Sequence, residues 1–316
     1  MKFNRYQKVA LTTVGATIFL IFVGGLVRAS GAGLGCPDWP KCFGMWIPPL
    51  TPSDLPARFD ASQFNVIKTW TEYINRLIGV IIGGLISITF FLSFKYRKRN
   101  PAVFYSSGSA FVMVLIQGWL GGQVVKTGLS EWLITLHMIL AMLIMITLVY
   151  AVFKASKKDL TVEIPLKMNR ILAGTLIVLM VSTFVQLILG TQVREVIDVL
   201  KNMTNAPPRE TWIAQVGLID EIHRSFSWIV LAAGGVLYYL TSWKLNSSLL
   251  QKLGIIVLAL IGLQVLTGIG MYYLNLPPVY QVIHLTGIAF LIAAETLALL
   301  IVANANPQFP EEQRVE

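Results

Sequence analysis

The stretch Glu72-Tyr73-Ile74-Asn75-Arg76 returns about 148 positions later as Asp220-Glu221-Ile222-His223-Arg224, and an apolar run follows each copy. Repetition at this distance indicates two copies of one structural unit, and this repeat determines the fold. The recurring residues are the polar ones of an otherwise apolar chain. Three further pairs of landmarks recur in the two halves: Leu136-His137-Met138 and Ile283-His284-Leu285, Gln117-x-x-x-Gly121 and Gln264-x-x-x-Gly268, and Gly24-x-x-Val27-Arg28 and Gly190-x-x-Val193-Arg194.

Composition places the chain in a membrane. Hydrophobic residues make up 55% of the 316 positions, charged residues only 13%, and the mean hydropathy is +0.68. Soluble domains carry about 25% charged residues, and a bilayer core of about 30 Å takes about 20 apolar residues per helix. We therefore predict an all-α integral membrane protein with eight transmembrane helices, four in each half, near residues 8–28, 73–94, 102–125, 132–153, 170–193, 219–242, 251–274 and 280–303.

The first apolar run follows basic residues, as a secretory signal does. Its Gly24-x-x-Val27-Arg28 end recurs at the end of the fifth run, so we expect it to be retained as part of the repeat. With the amino terminus inside, most of the 25 basic residues lie in inner segments. This pattern predicts a multi-pass protein of the cell (inner) membrane with both termini cytoplasmic. Inner loops that face anionic lipid account for most of the net charge of +9, without nucleic acid.

The predicted domains follow the repeat. An amino-terminal four-helix bundle spans 1–155, a carboxy-terminal one spans 156–305, and the polar tail 306–316 is expected to be a disordered cytoplasmic segment. Long outer loops, 29–71 and 195–218, lie at matching positions in the two halves. Long loops in a compact bundle usually cover a functional site.

The polar side chains of the predicted helices converge on one layer. The even-numbered helices run from outside to inside and carry polar residues in their first turns, whereas the odd-numbered helices end with polar residues. Both sets therefore meet in the outer half of the membrane. The layer contains Glu72, Asn75, His137, His223 and His284 from the even-numbered helices, and Arg28, Gln117, Gln123, Gln186, Gln192, Arg194 and Gln264 from the odd-numbered ones.

The three histidines are candidate iron ligands. A single membrane histidine is more often a helix-to-helix hydrogen bond, but His223 and His284 stand at matching places of the repeat. Two neutral imidazoles on facing helices of a bundle can hold a heme iron from both faces. Asn75 occupies the place of His223 in the first half, and an amide is a poor iron ligand. His137 is therefore the candidate ligand there.

Charged residues lie beside these ligands. Arg28, Arg76, Arg194 and Arg224 are either interfacial anchors or cationic forks for heme propionates, and the matched positions favour propionate binding. Glu72 lies three residues before Asn75, on the same face. It is either a chemically active carboxylate or one half of a structural ion pair with Arg76, one turn further on.

The two cysteines, Cys36 and Cys42, lie in the first outer loop, within the sequence Gly-Leu-Gly-Cys-Pro-Asp-Trp-Pro-Lys-Cys-Phe-Gly of residues 33–44. An outward-facing pair permits a disulfide. It is either a staple for a long loop or a thiol–disulfide pair that relays electrons from the site below. The second half has no cysteine, so the role of the pair is confined to the first half.

Several of these motifs, in this order, resemble the heme A synthase family, which oxidises heme O to heme A for cytochrome oxidase. The resemblance covers most of the chain. It is carried by Gly-Ala-Gly-Leu-Gly-Cys-Pro-Asp-Trp-Pro at 31–40, Glu-Tyr-x-x-Arg at 72–76, Leu-His at 136–137, His-Arg at 223–224 and Ile-His at 283–284. It implies two four-helix bundles related by a pseudo-twofold axis along the membrane normal.

The resemblance also implies a division of labour. The carboxy-terminal half would hold a heme b cofactor, with His223 and His284 on the iron. The amino-terminal half would bind heme O as substrate and convert a ring methyl to a formyl group. Asn75 stands where the family usually has a histidine, so only His137 would bind the substrate iron. The predicted catalytic residues are Glu72, His137 and Arg76, and the predicted cofactor-binding residues are His223, His284, Arg224, Arg194, Arg28 and Gln264.

Two further expectations concern partners and the competing function. Heme O synthase is the natural partner, because a hydrophobic, membrane-bound substrate is best passed on directly; the electron acceptor is not identified by the sequence. The alternative function is a b-type heme protein that transfers electrons or handles heme without porphyrin chemistry, since a fold alone does not specify a reaction.

Overall fold

The computed structural model describes residues 3–156 and 160–308. Eight helices in this part of the chain are long and apolar enough to cross a membrane, so the prediction of an all-α, multi-pass membrane protein is confirmed. A ninth helix, α6, is short. The helices are α1 (Arg5–Ala29), α2 (Val66–Ser93), α3 (Pro101–Lys126), α4 (Glu131–Ser156), α5 (Leu166–Lys201), α6 (Trp212–Val216), α7 (Leu218–Trp243), α8 (Ser248–Tyr273) and α9 (Pro278–Ala303).

The helices begin where the sequence provides amino-terminal caps. Asn4 and Gln7 form a reciprocal capping box at α1, and the Asn65 side chain accepts a hydrogen bond from the Lys68 N–H at α2. Pro101 and Pro278 occupy the first helical positions of α3 and α9, where a missing N–H costs nothing.

The fifth span is longer than predicted. Its apolar run suggested an end near residue 193, but α5 continues to Lys201, and α6 occupies part of the predicted loop 195–218. Arg194 and Asp198 form an ion pair one turn apart, at 2.8 Å, which stabilises this extension. The extension also buries Ile197 and Leu200; Ile197 packs in a small apolar cluster with Val216. The second long loop is therefore largely helical, unlike the first.

The chain divides into two compact units. Of the described residues, the first unit contains those up to Val152 together with Gln281–Thr286, and the second contains those of Phe153–Tyr280 together with those from Gly287 to Gln308. In the first unit α2 packs against both α1 and α3, and in the second α7 packs against both α5 and α8. The predicted boundary between 155 and 156 stays a prediction.

Two short strands pair within the second unit. Strand β1 (Glu163–Pro165) lies parallel to β2 (Asn306–Gln308), and the Asn306 N–H donates to the Val162 carbonyl at 2.9 Å. The tail expected to be disordered from residue 306 therefore begins with a strand. Residues 309–316 lie outside the described part of the chain.

Candidate functional site

Glu72 is buried near the start of α2, with 3% of its surface exposed. Its Oε2 atom accepts a hydrogen bond from the Cys36 backbone N–H at 2.8 Å, and its Oε1 atom forms an ion pair with Arg76 one turn further on. The predicted partnership with Arg76 is thus present. Both carboxylate oxygens have fixed partners, so the side chain is held in a single position.

Arg76 is bound by the loop that carries the cysteines. Its Nη1 atom donates to the carbonyl oxygens of Asp38 at 2.7 Å and Lys41 at 2.9 Å, and Nη2 donates to that of Cys36 at 3.3 Å as well as to Glu72. These four acceptors engage both terminal nitrogens of the guanidinium. The contacts favour a positioning role for Arg76; its predicted catalytic role stays a prediction.

The predicted Cys36–Cys42 disulfide is present and closes the loop that surrounds Arg76. Both cysteines are buried, and Phe43, Phe59 and Phe64 pack in the same cluster. A buried disulfide is poorly accessible to an external thiol. The structure therefore favours the staple over the exchanging pair, and it gives the staple a function, because the stapled loop supplies the acceptors of Arg76.

The loop lies directly on the first turn of α2. A Cβ atom at Gly35 would overlap the Lys68 backbone, and the Thr69 hydroxyl donates to the Gly35 carbonyl at 2.9 Å. Only glycine permits this approach of two backbones. The close contact brings the Cys36 N–H within reach of Glu72.

His137 lies in α4, in the same unit as Glu72. Its backbone carbonyl accepts a hydrogen bond from Gln117 Nε2 of α3 at 3.0 Å, and its Nδ1 atom is buried without a hydrogen-bond partner among the described residues. Arg28, at the end of α1, reaches the same region, since its Nη1 atom contacts the Met138 sulfur at 3.8 Å. Arg28 thus lies next to Met138, the residue that follows the candidate ligand, and its predicted role in cofactor binding stays a prediction.

His223 has a comparable setting in the second unit. Its backbone carbonyl accepts a hydrogen bond from Gln186 Nε2 of α5 at 3.0 Å. Asp220 and Arg224 form an ion pair one turn apart, at 2.8 Å, which repeats the relation of Glu72 to Arg76. The Arg224 side chain is 48% exposed and lies 4.6 Å from the centre of the Tyr272 ring. Unlike Arg76, it is not enclosed by a loop.

The remaining predicted residues have less definite surroundings. His284 lies in the segment Gln281–Thr286 of α9, which belongs to the first unit, whereas His223 belongs to the second. Both amide atoms of Gln264 are buried without a hydrogen-bond partner among residues 3–156 and 160–308, and a Cβ atom at Gly287 would overlap its Nε2 atom. Arg194 pairs with Asp198. Roles for His284, Gln264 and Arg194 in cofactor binding stay predictions.

Asn75 stands in the first unit where the repeat places a histidine in the second. Its Oδ1 atom is buried and has no hydrogen-bond partner within residues 3–156 and 160–308. A Cβ atom at Gly24 would meet nothing within 4 Å, although one at Gly190, its counterpart, would touch His223. Asn75 thus leaves a buried oxygen without a partner in the described residues, and Gly24 has no counterpart of the ring that Gly190 contacts.

Sequence reasoning missed two features. One is Glu295, fully buried in α9, whose Oε1 atom accepts a hydrogen bond from the Thr183 hydroxyl at 2.8 Å. A carboxylate within an apolar run was its only signal. The other is the bond from Gln117 and Gln186 to the histidine carbonyls; the glutamines were recognised as members of the polar layer but not as partners of the histidines.

The fold and the site define the class of protein: a multi-pass, all-α membrane protein with a buried carboxylate clamped by a disulfide loop and with fixed histidines near the ends of its spans. The sequence model of one family, COX15-CtaA, described as cytochrome oxidase assembly protein, matches residues 7–296. The chain belongs to this family, and the predicted resemblance is confirmed.

Curated relatives agree with this membership. The protein named heme A synthase in Orientia tsutsugamushi (strain Boryong) is 26% identical over 338 residues, which cover 91% of this chain and 93% of the relative. The heme A synthase of Alkalihalophilus pseudofirmus is 32% identical over 128 residues, which cover 40% of this chain and 38% of the relative. That of Wolbachia pipientis is 28% identical over 197 residues, with 55% and 57% covered.

Proposed function

We propose that this protein is a heme A synthase, an oxidoreductase that converts a ring methyl of heme O to the formyl group of heme A for cytochrome oxidase. The observation that carries the proposal is the fixed carboxylate of Glu72, held by Cys36 and Arg76 in the unit that also contains His137. An electron carrier has no need of a buried carboxylate held in this way, whereas oxidation of a methyl group releases protons and requires a group to accept them.

The residues of the first unit suit a bound heme. The His137 backbone is held by Gln117, and its buried Nδ1 atom has no hydrogen-bond partner in the described residues, so the imidazole is available as a ligand. Arg28 lies beside Met138 and would face a propionate. Asn75 supports ligation from one side only, which would let the substrate enter and leave more easily than a heme held by two histidines.

The candidate residues of the first unit then have distinct roles. His137 would orient the substrate through its iron, and Glu72 would accept a proton near the methyl group. Arg76 and the stapled loop hold the Glu72 carboxylate and cover it from water. Heme supplies the redox chemistry when it is bound; the protein contributes position, a proton acceptor and an apolar enclosure.

For the carboxy-terminal half of the sequence, residues 156–305, we propose a resident heme b. His223 and His284 are its proposed iron ligands, on the basis of the repeat and the family. Arg224 supports a propionate contact, since its half-exposed guanidinium is bound on one side by Asp220 and lies over the Tyr272 ring. Arg194 and Gln264 complete the proposed cofactor-binding set.

We further propose that the protein lies in the cell (inner) membrane with both termini in the cytoplasm. The excess of basic residues in the segments between α2 and α3 and between α4 and α5 supports this orientation. Heme O synthase is the proposed donor of the substrate, because heme O is too hydrophobic to cross water unaided.

The test is extraction and chromatography of hemes from the protein purified after co-expression with heme O synthase. We expect heme A from the parent, and a loss of about 100-fold or more in heme A for Glu72→Gln, which keeps the volume of the side chain but removes the proton acceptor. Glu210→Gln, at an exposed position, is the matched control. Heme b alone from the parent would contradict the synthase and favour an electron carrier.

A further inference from the structure

One local arrangement occurs in both units. Gln117 of α3 donates to the backbone carbonyl of His137 at 3.0 Å, and Gln186 of α5 donates to that of His223 at the same distance. In each case the glutamine belongs to one span and the histidine to the next span along the chain. A helical carbonyl already accepts one backbone hydrogen bond, so each glutamine adds a second donor that ties the two helices together at the histidine.

A glycine one turn after each glutamine contacts the histidine ring. A Cβ atom at Gly121 would lie 3.3 Å from His137 Cε1 and 3.9 Å from its Nδ1 atom. A Cβ atom at Gly190 would lie at the same two distances from the corresponding atoms of His223. A carbon atom at 3.3 Å is closer than ordinary van der Waals contact, so each glycine lets the ring pack directly on the neighbouring helix backbone.

We propose that each Gln-x-x-x-Gly pair is a clamp that positions an iron-ligating histidine, the glutamine by fixing its backbone and the glycine by fixing its ring. This inference rests on the proposed function, because it takes His137 and His223 to be ligands. Gln117, Gly121, Gln186 and Gly190 are positioning residues, since they act on the heme only through the imidazoles.

The two glutamines are energetically unfavourable at these buried positions, which indicates that they do more than fill space. The Oε1 atoms of Gln117 and Gln186 are both buried, and neither has a hydrogen-bond partner in the described chain. A buried amide that is only half satisfied is unfavourable compared with an apolar residue. The same imperfect arrangement at both histidines indicates that holding the histidine backbone is what the glutamine provides.

The first pair of spans supports the link between clamp and ligand. In the repeat, Gly24 of the first half matches Gly190 of the second. The residue four positions before Gly190 is Gln186, but the residue four positions before Gly24 is Leu20. Asn75 stands where the second half has His223. The glutamine and the histidine are therefore absent together. In the last pair, Gln264 precedes His284 by the same 20 positions that separate Gln117 from His137. Its amide lies against Gly287 and makes no hydrogen bond within the part of the chain that the structure describes.

The experiment compares the purified, heme-loaded parent with Gln186→Met and Gly190→Ala. Loss of an outer-shell partner typically weakens metal binding by about 10-fold to 100-fold. We therefore expect heme transfer to apomyoglobin to accelerate about 10-fold or more in both variants, and the low-temperature electron paramagnetic resonance of the low-spin heme to shift as the imidazole plane turns. Gln117→Met and Gly121→Ala should do the same to the heme of the first unit.

Matched controls lie on the same helices. Gln192 is exposed on α5, so Gln192→Met should leave transfer and spectrum unchanged. A Cβ atom at Gly174 or Gly118 would meet nothing within 4 Å, so Gly174→Ala and Gly118→Ala control for the gain in helix propensity.

The outcomes separate the two proposals. Parent-like transfer and spectra in Gln186→Met and Gly190→Ala would overturn the clamp and leave the synthase intact. A parent purified without any heme would overturn the proposed function and the clamp with it. If Gln186→Met fails to accumulate, Gly190→Ala decides, because alanine favours the helix and retains the glutamine.

Discussion

The backbone N–H of Cys36 donates to Glu72 Oε2 at 2.8 Å, so a residue of the disulfide is in direct contact with the proposed proton acceptor. The carbonyl of Cys36 accepts from Arg76, which pairs with the other oxygen of the same carboxylate. Cys36, Glu72 and Arg76 thus form a closed ring of interactions. Because each of these residues contacts the other two, a substitution in the loop should displace the Glu72 carboxylate. It should therefore lower the rate of the proposed reaction even if the loop does not touch the substrate.

Replacing Arg76 with lysine should reduce the formation of heme A by about 100-fold, the scale of loss that follows from misplacing a reactive group by about 1 Å. A lysine ammonium has three donors on one atom and cannot span the carbonyls of Asp38 and Lys41 while it also pairs with Glu72. The measurement is the ratio of heme A to heme O in extracts over time.

Lys41→Ala is the matched control for Arg76→Lys. It retains the backbone carbonyl that Arg76 contacts and removes only a side chain that lies near the Trp46 ring. Synthesis of heme A should be unchanged. Parent-like activity of Arg76→Lys would show that the positive charge alone suffices. The four hydrogen-bond acceptors around the guanidinium would then not be needed for the reaction.

Replacing Cys36 and Cys42 together with serine should lower the stability of the loop while leaving some activity. Closing so short a loop constrains the unfolded chain by about 2 kcal/mol, which corresponds to a fall of about 5 °C in the thermal midpoint. Activity should recover on cooling, because a staple is needed less when the loop is stable. Complete loss of heme A at every temperature, in protein with parental heme content, would instead support electron relay through the pair.

The substitution Asn75→His should convert the heme of the first unit to a six-coordinate, low-spin form. The buried Asn75 Oδ1 atom has no partner among the described residues, and a Cβ atom at Gly24, the counterpart of the glycine that contacts His223, would meet no described atom within 4 Å. Visible and electron paramagnetic resonance spectra would report the additional low-spin heme. Asn75→Leu controls for size without a ligand atom; an identical spectrum from both variants would mean that the new imidazole does not reach the iron.

Glu295→Gln should leave the thermal midpoint unchanged or raise it. A fully buried charge is costly, and glutamine still offers the Thr183 hydroxyl an acceptor in place of Glu295 Oε1. Thr183→Val should lower stability by about 1 kcal/mol, because it leaves the carboxyl unsatisfied. Thr296→Val is the control, since that hydroxyl donates to the Ile292 carbonyl of its own helix. A marked loss of stability in Glu295→Gln would indicate that the ionised form is required.

Two kinds of feature could be predicted from the sequence: the transmembrane spans, which appear as long apolar runs, and the motifs that recur in both halves of the chain. Apolar run lengths located all eight spans, and the spacing of Glu72 and Arg76 identified Arg76 as an available partner of this carboxylate. The matching ion pair of Asp220 and Arg224 was not predicted, although the repeat contains it. The end of α5 was misplaced because polar residues near 194 resemble a helix end, although Arg194 and Asp198 pair along the helix.

Contacts between distant parts of the chain were beyond the sequence. Nothing in the order of residues indicates that Arg76 is surrounded by the carbonyls of Cys36, Asp38 and Lys41, because backbone acceptors carry no residue-specific pattern. The same holds for the glutamine bonds to the carbonyls of His137 and His223. Such contacts depend on helix rotation and loop path, which apolar periodicity leaves undetermined.

The pairing of β1 with β2 places the segment that precedes α5 beside the segment that follows α9. Helices whose first and last flanking segments are neighbours can be opened elsewhere and rejoined, as in circularly permuted proteins. New ends could then be introduced in the segment 202–208, between α5 and α6, with a short linker across the former ends. We therefore expect these helices to pack in the same way when the chain presents them in a different order.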